Sequence, residues 1–247
     1  MNGQAVLILG ATSSIARALA HNIARQGAKL HLAARNAFEV ERVARDLTVR
    51  YQVPVTWSVF EGSDYNTHPE VVQTAIDQLG QLDGAIVSLG ELGDQQQAQN
   101  DFESAERIIH SNYTGVVSLL TPIANYLEKQ GKGFIIGVSS VAGDRGRQSN
   151  YIYGSAKGAL TLFLQGLRSR LAKSGVRVLT VKPGFVDTKM TFGKPGMFWV
   201  ASPEQVAGSI VSALDKRQDI AYVPGFWFWI MLMIRSIPET LFKQLKL

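Results

Sequence analysis

Cysteine is absent from the 247 residues. Its absence excludes a disulfide framework, a thiolate zinc site, a protein-held iron–sulfur cluster and a cysteine nucleophile. A reducing cytoplasmic setting is compatible with this and is the expected location. Blocks of like charge are also missing. The 25 Lys plus Arg against 20 Asp plus Glu leave a surplus of +5 scattered along the chain, too dilute to specify a nucleic-acid partner. Residues 1–10 carry no basic region ahead of their apolar run, so no signal peptide is expected. No linker, composition break or internal repeat divides the chain, and one domain over residues 1–247 is expected. The stretch Gln95-Gln96-Gln97-Ala98-Gln99 reads as a polar surface loop. One excess is local: residues 226–234 are nine apolar residues in a row and hold two of the four Trp.

The hydrophobic period switches repeatedly. An apolar run at 5–9 stops at Gly10, and from Ile15 the apolar residues recur at Leu19 and Ile23, a helical spacing. The same reading predicts strands at 29–33, 55–59, 84–89, 134–138, 177–181 and 220–223. Helices are predicted at about 38–47, 69–79, 102–127 and 153–172, and from Pro203 onward. The last opens on Ser202-Pro203-Glu204-Gln205, a capping Ser with Pro at the first helical position and Gln at the third. Strands apolar on both faces and alternating with helices imply parallel strands, right-handed crossovers and helices on both faces. The predicted fold class is therefore α/β, one doubly wound sheet of seven strands, with residues 226–247 as a tail.

In such sheets ligands bind beyond the carboxyl ends of the strands. The first such loop is Gly10-Ala11-Thr12-Ser13-Ser14-Ile15, placed where main-chain N–H groups at a helix N-terminus meet a pyrophosphate. Tyr153 and Lys157 stand four apart on one helix face, and Ser140 lies thirteen residues before the Tyr, just past a strand end. Asn112 sits in an otherwise apolar helical stretch, and Lys182-Pro183-Gly184-Phe185-Val186-Asp187-Thr188 follows a further strand. Taken together, these residues resemble the short-chain dehydrogenase/reductase family over essentially the whole length.

That resemblance implies a Rossmann fold and a nicotinamide cofactor that carries the hydride. It implies Tyr153 as general acid/base, Ser140 as the hydroxyl that steadies the carbonyl oxygen, and Asn112 as the holder of a water in a proton relay. Lys157 would contact the nicotinamide ribose and bring the phenol, whose ordinary pKa is near 10, towards working pH. Cofactor contacts are implied at Gly10, Thr12, Ser13, Ser14, Ile15, Gly90, Tyr153, Lys157, Pro183, Gly184, Val186 and Thr188. A homodimer or homotetramer is implied as well. Three departures stand out. Of the family's three loop glycines only Gly10 survives, with Ser14 and Ala16 in place of the others; Gly90 alone remains of the family's Asn-Asn-Ala-Gly; and Glu61 replaces the usual Asp near the adenine.

Arg35, at the end of the second strand and without a carboxylate until Glu39, favours NADP(H), since a cation accommodates the 2′-phosphate. If Arg35 instead stacks over adenine, NAD(H) also serves. Arg145 and Arg147, in the loop after Ser140, suit a phosphate or carboxylate of a small-molecule or lipid-linked carbonyl substrate, or equally pair with Asp144 or a second subunit. The segment 190–200, with Gly193, Pro195 and Gly196 ahead of Met197-Phe198-Trp199, has the character of a flap.

The nine-residue apolar run rises only roughly 14 Å as a helix, too little to span a bilayer. Beyond it, Ser236 to Glu239 predicts a capping box, with Ile237, Leu241 and Leu245 along one face and Lys243 and Lys246 elsewhere. Such a tail suits peripheral contact with the inner face of a membrane, or a seam between subunits. Within the family, residues 143–157 with this tail are most similar to reductases that act on a 2-keto pentose carried on a polyprenyl phosphate, the partner of decaprenylphosphoryl-ribose epimerase. A non-catalytic nucleotide-sensing or scaffold protein of the same fold is the alternative. A serine hydrolase is disfavoured, because Gly137-Val138-Ser139-Ser140-Val141 lacks the second glycine of a nucleophile elbow. His21, His31, His68 and His110 lack metal-ligand spacing and read as solvated or locally bonded.

Overall fold

The computed structural model describes residues 1–193 and 198–245. Seven strands, β1 (Ala5–Leu9), β2 (Lys29–Ala34), β3 (Val55–Val59), β4 (Gly84–Val87), β5 (Gly133–Val138), β6 (Val176–Pro183) and β7 (Ile220–Val223), form one sheet in the order 3-2-1-4-5-6-7. Every neighbouring pair is parallel. Parallel pairing requires crossovers, and the apolar two-faced strands are buried by helices on each side. Helices α1 (Ser14–Arg25), α2 (Ala37–Tyr51) and α8 (Pro203–Asp215) cover the face that carries Val6 and Ile8. Helices α3 (His68–Leu79), α6 (Gly115–Gln130) and α7 (Tyr151–Leu171) cover the face that carries Leu7 and Leu9. The strand order reverses between β1 and β4, so a crevice opens at their carboxyl ends.

Two elements differ from the sequence expectation. The stretch expected as one helix over 102–127 is α5 (Phe102–Ile109) and α6, joined by a π-helical turn over His110–Thr114 that contains Asn112. A single wide turn leaves the apolar period almost unbroken, so periodicity does not reveal it. The Gln-rich stretch is no surface loop but a short helix, α4 (Gln95–Ala98), capped by Asp94, and Gln95 turns inward. Its Oε1 accepts a hydrogen bond from Ile152 N at 3.2 Å, supplying the first turn of α7 with an acceptor that the N-cap residue Asn150 does not provide. The capping box expected at α8 is formed in full by Ser202 and Gln205.

The tail folds back on the sheet as α9 (Trp227–Ser236) and α10 (Glu239–Phe242). Among the described residues no helix is long and apolar enough to cross a membrane. The capping box expected from Ser236 and Glu239 is absent: Ser236 Oγ donates back to Leu232 O at 2.8 Å, and Glu239 is drawn to Arg145 at 2.7 Å. The buried residue of this region is Phe242, while Leu241 and Leu245 are exposed. The expected apolar face is therefore shifted by one residue, because the Arg145 guanidinium lies 4.1 Å over the Phe242 ring. Lys246 lies outside the described residues.

Trp227 and Met231 pack with Val141 beneath α9. Beside them Asp144 is nearly enclosed. It accepts from Lys182 Nζ at 2.5 Å and from Tyr222 Oη at 2.6 Å, linking the turn after β5 to β6 and β7. Burial, reinforced by that donation, pushes the Tyr222 phenol well above its ordinary value and keeps it a donor. Removing one member of a buried ion pair strands the other charge. Lys182→Met is expected to destabilise the protein by about 3–5 kcal/mol in urea denaturation, and the double variant Lys182→Met, Asp144→Leu to recover at least half of that loss.

Candidate active site

The loop after β1 is shaped by crowding. Gly10 has φ +76°, and a Cβ there would come 2.5 Å from Ser88 O, so only glycine fits. Its N–H and that of Ala11 both donate to Ala33 O, at 2.9 and 3.1 Å. Ser13 is the N-cap of α1 and accepts from Ala16 N, and its Oγ lies 3.1 Å from Ser88 Oγ. Thr12, Ser14 and Ile15 complete the loop, and α1 has no acidic residue in its first turn. Short side chains, free N–H groups and an unopposed positive helix end fit the pyrophosphate of a dinucleotide. The Ser14 and Ala16 replacements fall in the first helical turn, so the glycine whose Cβ would collide with main chain is the one retained. Arg35 is exposed just past β2. Glu61 is exposed and accepts from Ser63, its own neighbour in the loop.

A second cluster lies across the crevice. Lys157 is 3% exposed, and its ammonium donates to Leu89 O at 3.0 Å and Val138 O at 3.1 Å. Burial pulls its pKa from 10.5 to about 7. Its Nζ stands 5.9 Å from the centroid of the Tyr153 ring. Gly90 has φ +138°, and a Cβ there would overlap Asn112 Oδ1 and come 3.1 Å from Lys157 Nζ. That crowding accounts for the survival of this glycine alone. The π turn aims Asn112 inward: its amide nitrogen donates to Glu91 O at 2.7 Å and Ile108 O at 2.8 Å, and its buried Oδ1 has no partner. An acceptor held between Gly90 and the Lys157 ammonium fits the holder of a water.

Ser140 opens the short helical turn Val141–Asp144, accepting from Ala142 N at 3.1 Å, and its side chain is near enough to Tyr153 to act on the phenol. Burial pushes the Tyr153 phenol up; the Ser140 side chain and the charge of Arg147 pull it back. Sequence reasoning assigned that electrostatic task to Lys157. In the structure the Lys157 ammonium donates to two main-chain carbonyls with its Nζ 5.9 Å from the Tyr153 ring, and the charge of Arg147 acts on the same phenol. The structure thus brings Asn112, Ser140, Tyr153 and Lys157 together at the carboxyl end of β4 and β5.

The two loop arginines part ways. Arg145 donates to the carbonyls of Ile234, Arg235 and Ile237 and pairs with Glu239, so it fastens the tail and is not available to a substrate. Asp144 pairs with Lys182, not with either arginine.

After β6, Gly184 is pressed against Trp227, where a Cβ would overlap the indole nitrogen. Val186 is buried and bridges Ala201, and Thr188 N donates to Thr191 Oγ1 at 3.1 Å. The segment expected as a flap is described at its two ends, while Pro195, Gly196 and Met197 lie outside the described residues. Phe198 stacks on Trp227 with centroids 5.6 Å apart, and Trp199 meets Phe226 edge-on at 5.2 Å. An apolar cavity of about 480 Å³ between segment and tail is lined by Trp199, Val200, Ala201, Gln205, Pro224 and Phe226, and by none of the catalytic candidates. The histidines stand apart from this site. His31, enclosed between Thr56 Oγ1 and Ser58 Oγ, is driven by burial to a pKa of about 4.

Comparison with known proteins gives a consistent result. The family model described as short chain dehydrogenase matches residues 4–195. An uncharacterised oxidoreductase of Mycobacterium tuberculosis is 35% identical over 240 residues, covering 97% of this chain and 96% of its own. An NADP-dependent 3-hydroxy acid dehydrogenase of Schizosaccharomyces pombe is 28% identical over 233 residues, covering 89% and 90%. Among solved structures, levodione reductase superposes with a TM-score of 0.83 at 20% identity, covering 92% of this chain and 98% of its own, a likeness of fold.

The buried ammonium has a thermodynamic signature. Lys157 keeps its proton up to about pH 10.5 when unfolded but only to about 7 when folded, so between these values the unfolded chain binds the extra proton and stability rises with pH. Across that window the stability of the wild type relative to Lys157→Met is expected to climb, by up to about 1.4 kcal/mol per pH unit. Urea denaturation of both proteins from pH 6.5 to 10 measures this, and parallel curves would contradict a desolvated ammonium.

Proposed function

Because the chain belongs to the short-chain dehydrogenase family and is an oxidoreductase, we propose that it reduces a ketone to a secondary alcohol, or runs the reverse reaction, with NADP(H). The observation that carries this reading is the gathering of Tyr153, Lys157 and Asn112 near Ser140 at the carboxyl ends of β4 and β5, across the crevice from the Gly10 loop. The hydride for the carbonyl carbon would come from a nicotinamide dinucleotide when one is bound. The chain's own residues do the rest. Thr12, Ser13, Ser14 and Ile15 would hold the pyrophosphate of such a cofactor, and Pro183, Gly184, Val186 and Thr188 would border its nicotinamide. Ser140 donates to the carbonyl oxygen and orients it. Tyr153 gives its proton to that oxygen as negative charge develops, and Asn112 with Lys157 returns a proton along the relay. Arg35 favours the 2′-phosphate of NADP(H), a preference in keeping with the NADP-dependent relative.

The surroundings support a substrate with an apolar part, and we extend the reading to a ketone borne on a lipid, such as a keto sugar on a polyprenyl phosphate. The apolar cavity beside the tail suits such a chain. Phe192, Phe198, Trp199, Phe228, Trp229 and Met233 are exposed, with Lys189, Arg235 and Lys243 exposed among them. Exposed aromatics with interspersed cations suit an anionic lipid interface at the inner face of a membrane.

Two experiments follow. Tyr153→Phe is expected to retain NADPH binding by fluorescence titration, tighter than NADH, and to lose at least 10²-fold in turnover of a ketone. Full turnover by the variant would sink the assignment, and failure of the wild type to bind either dinucleotide would favour the scaffold alternative. Flotation with phosphatidylglycerol vesicles is expected to carry the full chain, and Trp229→Glu with Met233→Glu is expected to leave it behind. A wild type that ignores the vesicles but forms a dimer broken by those substitutions would make this face a seam between subunits.

A further inference from the structure

The loop that leads from Ser140 into α7 carries three charged residues, and two of them are spent. Asp144 is taken by Lys182 and Tyr222, and Arg145 by the carbonyls at the end of α9 and by Glu239. Arg147 is different. Among the described residues its guanidinium has no ion pair and no hydrogen-bond acceptor, and its Nε is shielded from solvent without a partner. The ionisable group it acts on is Tyr153, a neutral phenol that does not compensate a cation. A half-buried cation with no counter-ion, at the mouth of a reaction site, is a group whose partner arrives from outside.

Gln95 makes the same point independently. Its Oε1 is fixed by Ile152 N, which settles the orientation of the amide, so its Nε2 is presented as a donor, buried and without a partner. Asn150, the N-cap residue of α7, adds a buried Oδ1 that is unpartnered because capping of Ile152 has passed to Gln95. All three residues gather at the end of α7 whose first turn holds Tyr153. Two unmatched donors, one of them a planar cationic fork, match two oxygens of one anion, and the single acceptor suits a hydroxyl beside it.

We propose that Arg147, with Gln95, forms an oxyanion-binding subsite that holds a carboxylate or phosphate group of the substrate while its carbonyl lies on Ser140 and Tyr153. This deepens the reductase reading and rests on it. The subsite makes the enzyme selective for anionic ketones, and it places the charge of Arg147 in two services, gripping the substrate and facing the phenol.

Matched pairs of ketones test this with the full chain: acetoacetate against its neutral methyl ester, and dihydroxyacetone phosphate against dihydroxyacetone. The charged member of one pair is expected to be reduced with the higher kcat/KM, and which pair responds tells carboxylate from phosphate. Arg147→Met is expected to lose at least tenfold more kcat/KM on the charged member than on the neutral one, with the difference in KM, and Arg147→Lys to restore part of it. Gln95→Leu should act in the same direction more weakly. An equal fall in kcat for both members with KM unchanged would overturn the subsite and leave Arg147 acting on Tyr153 alone. Calorimetric titration of acetoacetate and dihydroxyacetone phosphate into the NADPH-loaded protein separates this from the reductase reading. Binding that Arg147→Met abolishes supports the subsite even where no ketone is reduced, and binding of neither anion overturns it.

Discussion

The ammonium of Lys157 is the point on which the site depends. Two strand-end carbonyls, Leu89 O after β4 and Val138 O in β5, accept hydrogen bonds from it and so register α7 against the carboxyl edge of the sheet. Around it the backbone is packed closely. Asn112 Oδ1 and Lys157 Nζ crowd the space a Cβ on Gly90 would need, and a Cβ on Gly143 would come 2.6 Å from Gly158 N, so the turn after β5 lies main chain to main chain on α7. That contact holds the turn that begins at Ser140 against the helix that carries Tyr153. The cost of desolvating one cation is thus converted into the alignment of three elements, and the lowered pKa is the record of that cost.

Much of the fold was legible because it follows from period and termination. Strands β1, β3 and β7 lie at the expected residues, and the other four differ only at their ends, because apolar runs bounded by glycine or by turn residues have few other readings. The site was legible where a residue type is demanded by local chemistry: Gly10 by its positive φ, Gly90 by the groups around it, Tyr153 and Lys157 by a shared helix face.

What was not legible depends on partners distant in sequence. Arg145 and Arg147 are indistinguishable by composition, and only a tail some ninety residues later decides that the first is a fastening. The same long-range cation overrides the local signal for a capping box at Ser236, a tertiary contact prevailing over a short motif. Gln95 looked like part of a polar run because nothing nearby announces Ile152 as its partner. The π turn at Asn112 is hidden for a different reason: inserting one residue rotates a side chain inward without disturbing the apolar stripe on either side.

Gly184 and Trp227 lead to a last point. The residue that lines the crevice after β6 has no room for any side chain because an indole from the tail fills that space. Trp227 in turn carries Phe198 and Phe185 on its faces and edges, so the ring is the common wall of the crevice, the segment beyond Thr188 and the outward aromatic surface. The tail is therefore a wall of the loop after β6 and not an appendage beside it. A change on the outer surface is felt one ring away from the loop after β6, and the outer face and that edge of the crevice share the same tryptophan.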